Sequence, residues 1–297
     1  FNILFFLLKK KPQLSISFTP KIGLMVALAS FISGTPNRIH WFTGQIWATK
    51  KGLTKIFFKL IDKLIFFLSH SVLVDGLSQQ SFLIKEKVIS FKKSTVLHKG
   101  SVGGVNISKF RFKQKKRMNL RKDLLINKNT FVFLYLGRIN QEKGIIELIK
   151  AYKKICKEED VLLIFVGSIE DNKLKNILKN ERKIIYSNFT HRPEEWFLLS
   201  DMLCLPSHRE GFGTVVIEAG SCNLPALCSN VYGLNDAIID NKTGFFHKVG
   251  DIDDIKKNML YAIKNKKLLK KYGKLARKRV IKDFEQNILT KKLFKFI

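Results

Sequence analysis

Two rhythms of apolar and polar positions run along this chain. Continuous apolar runs at 131–136 (FVFLYL) and 161–166 (VLLIFV) read as strands buried on both faces, and 202–205 and 226–229 read as strands that continue the sheet. A strand covered on one face only would alternate apolar with polar residues instead. Residues 145–156 carry the 3.6-residue period of a helix, 184–189 reads as one more strand, and 255–264 and 268–284 as amphipathic helices. The first third has the same order in weaker form. Strands are predicted at 14–18, 38–42, 71–75 and 94–97, with helices at 23–32, 53–68 and one ending near Phe82. Strands alternating with helices predict parallel, doubly wound sheets. Residues 111–129 interrupt the rhythm, crowded with Lys and Arg and poor in apolar side chains, and mark the expected domain boundary.

Composition sharpens this picture in three places. Hydrophobic residues make up 45% of the 297, enough for a packed core without crosslinks. The net charge of +30 predicts attraction to polyanions: nucleic acid, anionic lipid or phosphorylated substrates. Cys156, Cys204, Cys222 and Cys228 form no C-x-x-C pair and read as reduced thiols of an intracellular protein, not as a metal site. Residues 1–8 are apolar and precede Lys9, Lys10 and Lys11, the reverse of signal-peptide order, and are too few to span a bilayer. With no initiator Met, the chain is expected to begin partway through a gene product.

Candidate chemistry concentrates in two loops. The first is Pro206-Ser-His-Arg-Glu-Gly-Phe-Gly-Thr-Val-Val-Ile-Glu218, between the strand ending at Leu205 and a predicted helix. Gly211 and Gly213 allow close backbone approach to a ligand, and the helix N-terminus offers N–H groups to an anion. Glu210 and Glu218 are poor phosphate ligands but good acceptors for hydroxyls, as on a sugar and a ribose. The second is Gly137-Arg-Ile-Asn-Gln-Glu-Lys-Gly144, after the strand at 131–136. Arg138 offers a planar fork and Lys143 a point charge, both suited to a diphosphate at a strand's carboxyl end.

Together the Gly-Arg-x4-Lys-Gly loop and the Glu-Gly-Phe-Gly…Glu motif resemble family 4 of the retaining glycosyltransferases, the glycosyl transferases group 1. Ser200-Asp201, Leu205-Pro206-Ser207 and Gly244 near Asp251 fit the same pattern, as do Thr19-Pro20-Lys21 and the hinge-like 100–106, where Asn106 replaces Asp. The likeness runs through nearly the whole chain. It is strongest to bacterial enzymes that build polysaccharide or glycan precursors on a lipid carrier.

The resemblance implies an α/β fold with two facing Rossmann-like, doubly wound domains (GT-B). It implies a partial acceptor-side domain over 1–115, a nucleotide-sugar domain over 116–280, and a helix over 281–297 packing back toward the first. About sixty family residues have no counterpart before 14, so the N-terminal sheet is expected to be truncated. Arg138 and Lys143 would hold the donor diphosphate, Glu210 the transferred sugar and Glu218 the ribose. Gly137, Ser207, Gly211, Phe212, Gly213 and Thr214 would line the donor pocket. His40 would face the reaction, and Thr19 and Lys21 would lie on the acceptor side. Asn223 stands where Gly is usual, and Asn tolerates the left-handed backbone.

The implied activity is retaining transfer of a sugar from a nucleotide diphosphate, UDP-linked, to a lipid-carried glycan, with no cofactor and no metal. The implied location is cytoplasmic, on the inner face of the membrane. The competing reading is an inactive sugar-nucleotide-binding remnant. A nucleic-acid partner is not expected, because no such motif occurs. Asp251-Ile-Asp253 reads as a helix cap, not a metal motif. The helix at 53–68, with Phe57, Phe58, Phe66 and Phe67 among its lysines, reads foremost as a Rossmann helix with lysines outward and secondly as an anionic-membrane contact.

Overall fold

The computed structural model describes residues 2–180 and 183–297; Phe1, Glu181 and Arg182 lie outside the described residues. The chain divides into two compact units: Phe1–Val102 with Arg209–Phe212 and Leu289–Ile297, and Gly103–His208 with Gly213–Ile288.

The first unit is built on a four-stranded sheet of order β1-β2-β3-β4, all parallel, from Leu14–Phe18, Asn37–Phe42, Ser71–Val74 and Ser94–Val96. Helix α1 (Asn2–Lys10) precedes β1, and α2 (Pro20–Ile32), α3 (Gly52–Leu68) and α4 (Leu77–Lys85) make the crossovers. Strand order climbs by one each time, so right-handed crossovers put α2, α3 and α4 on one face. There Phe42, Trp47, Ile65, Val72 and Leu83 form a core. On the other face Ile39, Trp41 and Leu73 pack with Leu289 and Leu293 of helix α13 (Gln286–Phe296).

Helix α3 departs from expectation. Its buried stripe is Phe58, Ile61, Asp62, Ile65 and Leu68, but Lys55 and Lys59 do not point outward. Both pair with Glu86 and lie over the Trp47 ring, at 5.8 and 5.6 Å from its centroid. The outward stripe is apolar.

The second unit has a six-stranded parallel sheet, order β10-β9-β8-β5-β6-β7. Its strands are β5 (Phe131–Leu136), β6 (Val161–Val166), β7 (Ile184–Ser187), β8 (Met202–Leu205), β9 (Ala226–Ser229) and β10 (Gly244–His247). The apolar runs are strands because helices cover both faces: α6 (Ile145–Lys153), α7 (Asn172–Asn180), α8 (Pro193–Leu199), α9 (Thr214–Ser221), α10 (Leu234–Ala237), α11 (Ile252–Lys264) and α12 (Lys266–Asp283). Phe131, Phe133, Tyr135 and Phe165 are fully buried among them.

The basic stretch after residue 111 forms a helix, α5 (Gln114–Asp123), packed on α8. Arginines do the packing. Arg117 donates to Asp201 at 2.6 Å and to the Leu198 carbonyl at 2.7 Å, and Arg121 donates to the carbonyls of Leu199 and Asn127. Asp201 also accepts the Val132 amide, tying α5 to β5. An apolar-period reading misses such a helix because its buried face is made of guanidinium groups.

The units part at Val102–Gly103, inside the hinge-like motif, and residues 103–115 belong with the second. Val105 exchanges backbone bonds with Phe284 and Gln286, Phe110 packs on Phe197, and the Phe110 carbonyl accepts from Ser221 Oγ at 2.6 Å. Asn106 Oδ1 accepts the Ser108 and Lys109 amides at 3.1 and 3.0 Å, the turn-capping role expected of the usual Asp. Asn223 adopts φ +61°, the left-handed backbone for which Gly is common.

Candidate functional site

In the second unit the chain builds β5, β6 and β7 outward in one direction, then returns to place β8 on the other side of β5. Phe133 lies opposite Met202 and Leu134 opposite Leu203. The carboxyl ends of β5 and β8 therefore flank the point where strand order reverses, where open parallel sheets bind ligands. Both sequence-singled loops start there.

The loop after β5 is held by backbone. The Gly137 amide donates to Val166 O at 3.0 Å and the Ile139 amide to Ser168 O at 2.9 Å. Tyr135 Oη donates to the Arg138 carbonyl at 2.6 Å. The Arg138 side chain stays 64% exposed, 3.4 Å from Glu170. Glu170 also accepts from Asn140 Nδ2 at 2.7 Å, and that bond, aided by Arg138 and Lys143, holds its carboxyl below the usual range. Lys143 closes a short 3-10 turn before Gly144, whose φ is +66°. A Cβ at Gly144 would sit 2.1 Å from the Pro206 carbonyl oxygen, so this loop lies directly against the loop after β8. The His208 amide donates to Glu142 O at 2.9 Å, and His208 Nε2 lies 3.0 Å from Glu147.

Ser207 is buried at the end of β8. Gly213 caps α9 with φ +74°, and a Cβ there would meet Leu234 Cδ2 at 2.5 Å. Thr214 opens α9 and is exposed. The N-cap residue is Gly213, which has no side chain to cap α9, and the positive end of the helix favours an anion. Glu218 follows one turn later, and burial raises its carboxyl to about 7; Lys109 opposes that rise and Glu194 adds to it.

The remaining positions belong to the first unit. Gly211 fits only as glycine: a Cβ would fall 1.5 Å from the Thr43 carbonyl oxygen and 2.8 Å from Asp75 Oδ2. A Cβ at Gly100 would strike the Asp75 carbonyl at 2.4 Å and the Phe212 ring at 2.8 Å. Glu210 is half-buried in this segment. Asp75, just past β3, was missed by the sequence reading, although a carboxylate after a buried parallel strand and before Gly76 was a usable signal. It accepts Trp41 Nε1–H at 2.9 Å, and burial pushes its carboxyl to about 7.

His40 is 1% exposed, with Nδ1 2.8 Å from Ser17 Oγ and its ring edge-on to Phe42. A Cβ on Gly23 would overlap its Cε1 at 2.4 Å. Burial lowers His40 to about 4, so it is neutral near pH 7. Thr19 and Lys21 are exposed at the start of α2, Thr19 with φ +65°. Their unit brings them to the carboxyl edge of β1, near His40 on β2.

Asp251 is a helix cap: its Oδ1 accepts the amides of Asp253 and Asp254 at 3.1 and 3.0 Å, and Asp253 pairs with Lys154. All four cysteines are free thiols; Cys204, Cys222 and Cys228 are buried and Cys156 is half-buried.

Comparison with known proteins agrees with this geometry. Residues 116–279 match the family model of glycosyl transferases group 1. The capsular polysaccharide biosynthesis glycosyltransferase CapM of Staphylococcus aureus is 32% identical over 291 residues, covering 96% of this chain and 76% of CapM. The UDP-Gal:alpha-D-GlcNAc-diphosphoundecaprenol alpha-1,3-galactosyltransferase of Escherichia coli is 26% identical over 288 residues, covering 93% of this chain and 72% of its own. The crystal structure of Anabaena Alr3699/HepE in complex with UDP and glucose superposes with a TM-score of 0.84 at 17% identity, covering 99% of this chain and 80% of that one. The fold is GT-B, with two Rossmann-like units on parallel sheets. A strand-order reversal flanked by the Arg138 and Ser207 loops, joined to these matches, places the chain in the glycosyl transferases group 1 family: it is a glycosyltransferase.

Proposed function

We propose that the protein transfers a sugar from a UDP-sugar to a lipid-linked glycan or polysaccharide precursor, with retention of anomeric configuration and without a metal. The observation that carries this reading is the placement of the Arg138 and Lys143 loop and the glycine-capped N-terminus of α9 at one strand-order reversal. That edge presents two cations and a helix dipole to a diphosphate. Glu210 accepts hydroxyls of the transferred sugar and Glu218 those of the ribose. Neutral His40, bonded to Ser17, acts as a hydrogen-bonding group and not as a cation. Asp75 and Trp41 brace Gly211 and so position Glu210. The E. coli relative, whose name specifies a UDP-sugar and a diphosphoundecaprenol-linked acceptor, supports the choice of substrates.

A panel of nucleotide sugars screened by thermal shift tests the donor. The cognate UDP-sugar, at a hundredfold over its dissociation constant, stabilises the protein by about 2.7 kcal/mol. Equal shifts with UDP, GDP and ADP sugars, or none with any, overturn the assignment.

Glu218 gives a second test, with opposite signs on two readouts. Its folded value of about 7 lies above the ordinary 4.5. Between these the folded protein holds a proton that the unfolded chain releases, so the group's contribution to stability falls as pH rises through that window. Above pH 7 the buried charge is fully destabilising. Glu218→Gln is expected to stabilise the protein at pH 8 by about 1–2 kcal/mol, allowing for partial solvent exposure, read as a higher Tm, and to leave stability unchanged below pH 4.5. The same variant should weaken UDP binding, because an amide is a poorer acceptor for two ribose hydroxyls. A variant that binds UDP normally removes Glu218 from the site.

A further inference from the structure

We infer that the second unit holds a second ligand site, a cationic cavity at the amino end of its sheet that takes a small sugar phosphate. The cavity, of about 480 Å³, lies between the start of β5, the loop that leaves α9 and one face of α12. Its volume is that of an ordinary small-molecule pocket. Strand β5 separates it from the donor loops. Thr130 and Phe131 line the cavity at one end of the strand, and Gly137 and Arg138 follow the other end, about 17 Å away along the strand. Helix α12 is pressed against the loop after α9, where a Cβ on Gly273 would fall 1.9 Å from the Asn223 carbonyl oxygen. That close packing fixes the lysines on either side of Gly273 at the cavity.

Charge defines one half of the ligand. Lys266, Lys270 and Lys274 follow one another at four-residue spacing on α12, and all three line the cavity with Lys128 and Arg117. The helical rise makes the row about 12 Å long, the reach of one phosphorylated hexose. The carboxylate in the wall, Asp201, is already paired with Arg117 at 2.6 Å and with Arg121 at 3.3 Å. Lys266 donates to the Asn129 carbonyl at 3.1 Å, whereas Lys128, Lys270 and Lys274 make no hydrogen bond or ion pair among the described residues. Unpaired like charges around one cavity repel each other, and a phosphate dianion relieves that repulsion.

The other half of the ligand is neutral. Phe112, Leu224, Pro225 and Leu269 give the cavity an apolar wall, suited to the C–H face of a sugar ring. Asn223 lines it too, and its buried Oδ1 finds no hydrogen-bond partner among the described residues. A buried amide oxygen left unpaired is costly, and a turn of the amide lets it accept a hydroxyl proton from a ligand. Inorganic phosphate would use the lysines alone, whereas a sugar phosphate uses lysines, wall and amide together. None of these residues belongs to the donor site, so the inference does not rest on the donor reading.

Isothermal titration calorimetry tests it at about 0.15 M salt, with and without saturating UDP. The probes are glucose 1-phosphate and glucose 6-phosphate, compared with inorganic phosphate, glucose and a short single-stranded DNA. One equivalent of sugar phosphate should bind whether or not UDP is present, and more tightly than inorganic phosphate or glucose. The pair Lys270→Ala, Lys274→Ala should weaken it by at least about tenfold and leave UDP affinity unchanged. The pair Lys267→Ala, Lys271→Ala removes the same charge from exposed positions of α12 outside the cavity and should change little. Asn223→Gly suits the backbone at φ +61° and should weaken sugar phosphate binding but not phosphate binding. Thermal unfolding shows that each variant is folded. Five results overturn the proposal. Neither sugar phosphate binds, or inorganic phosphate binds as tightly, which leaves an adventitious ion only. UDP displaces the probe, which puts it in the donor site. Both lysine pairs lose affinity equally, which assigns binding to the general +30 charge. Or the DNA binds more tightly and loses affinity in the Lys270 and Lys274 pair, which makes the cavity part of a polymer-binding surface.

Discussion

Replacing Glu210 by Ala is expected to lower sugar transfer by about 10²–10³-fold while the fold and UDP affinity survive. In the proposed role, a carboxylate that binds the transferred sugar contributes most as that sugar takes on charge in the transition state. Loss of one such preorganised group costs roughly 2–4 kcal/mol. The truncation is local. Glu210 is half-buried, and its loop is anchored on either side by other residues. Gly211 lies against Thr43 and Asp75, and Phe212 is buried against Gly100. Turnover with saturating donor, Tm and UDP affinity should be measured together. A folded variant with near-normal turnover takes Glu210 out of the chemistry. A variant that loses UDP affinity in proportion to turnover assigns it a ground-state binding role instead.

The second large effect is expected at Arg138. In the proposed reaction the departing UDP carries a diphosphate whose charge must be neutralised as the bond breaks, a role proposed for two side chains and a helix end. The Arg138 side chain is 64% exposed and lies 3.4 Å from Glu170. An incoming diphosphate can compete for this guanidinium, because bidentate Arg–phosphate bonds are stronger than an exposed ion pair. Arg138→Ala should therefore lower turnover by at least about a hundredfold. The loss includes repulsion by Glu170, whose charge would then be balanced by no guanidinium, though Asn140 still donates to it. Lys278→Ala, an exposed control on α12, should change little. Activity should persist in excess EDTA. If EDTA abolishes turnover and Mg²⁺ or Mn²⁺ restores it, the charge-relief role of Arg138 and Lys143 is wrong.

Much of the architecture was legible from pattern alone. The runs at 131–136, 161–166, 202–205 and 226–229 are strands with those bounds. A strand buried on both faces is mostly apolar, and that property is written in adjacent residues. The strand at 244–247 and helices α7 and α8 were not read out, because short elements carry too few residues to show a period. Helix α5 escaped for another reason: it packs through Arg117 and Arg121, and charged residues look like solvent-facing ones until Asp201 and the carbonyls around it are in place. The reading of α3 failed in the reverse direction. Its lysines suggested the outward face, but Glu86 and the Trp47 ring draw them to the flank and leave the apolar stripe outside.

The sequence by itself determined the parallel α/β class, the two glycine-bounded loops at the strand ends and the capping role of Asp251. Each follows from residues close together in the chain: an unbroken apolar run, a glycine-bounded loop after a strand, a carboxylate just ahead of a helix. Only the tertiary structure decided that the Arg138 and Ser207 loops share one strand-order reversal, since that depends on β8 returning to the far side of β5. It alone decided that Asp75 and Glu218 titrate near neutrality and that His40 stays neutral. A side chain's charge depends on how much water and which partners surround it, and those are set by groups distant in sequence that the fold brings near.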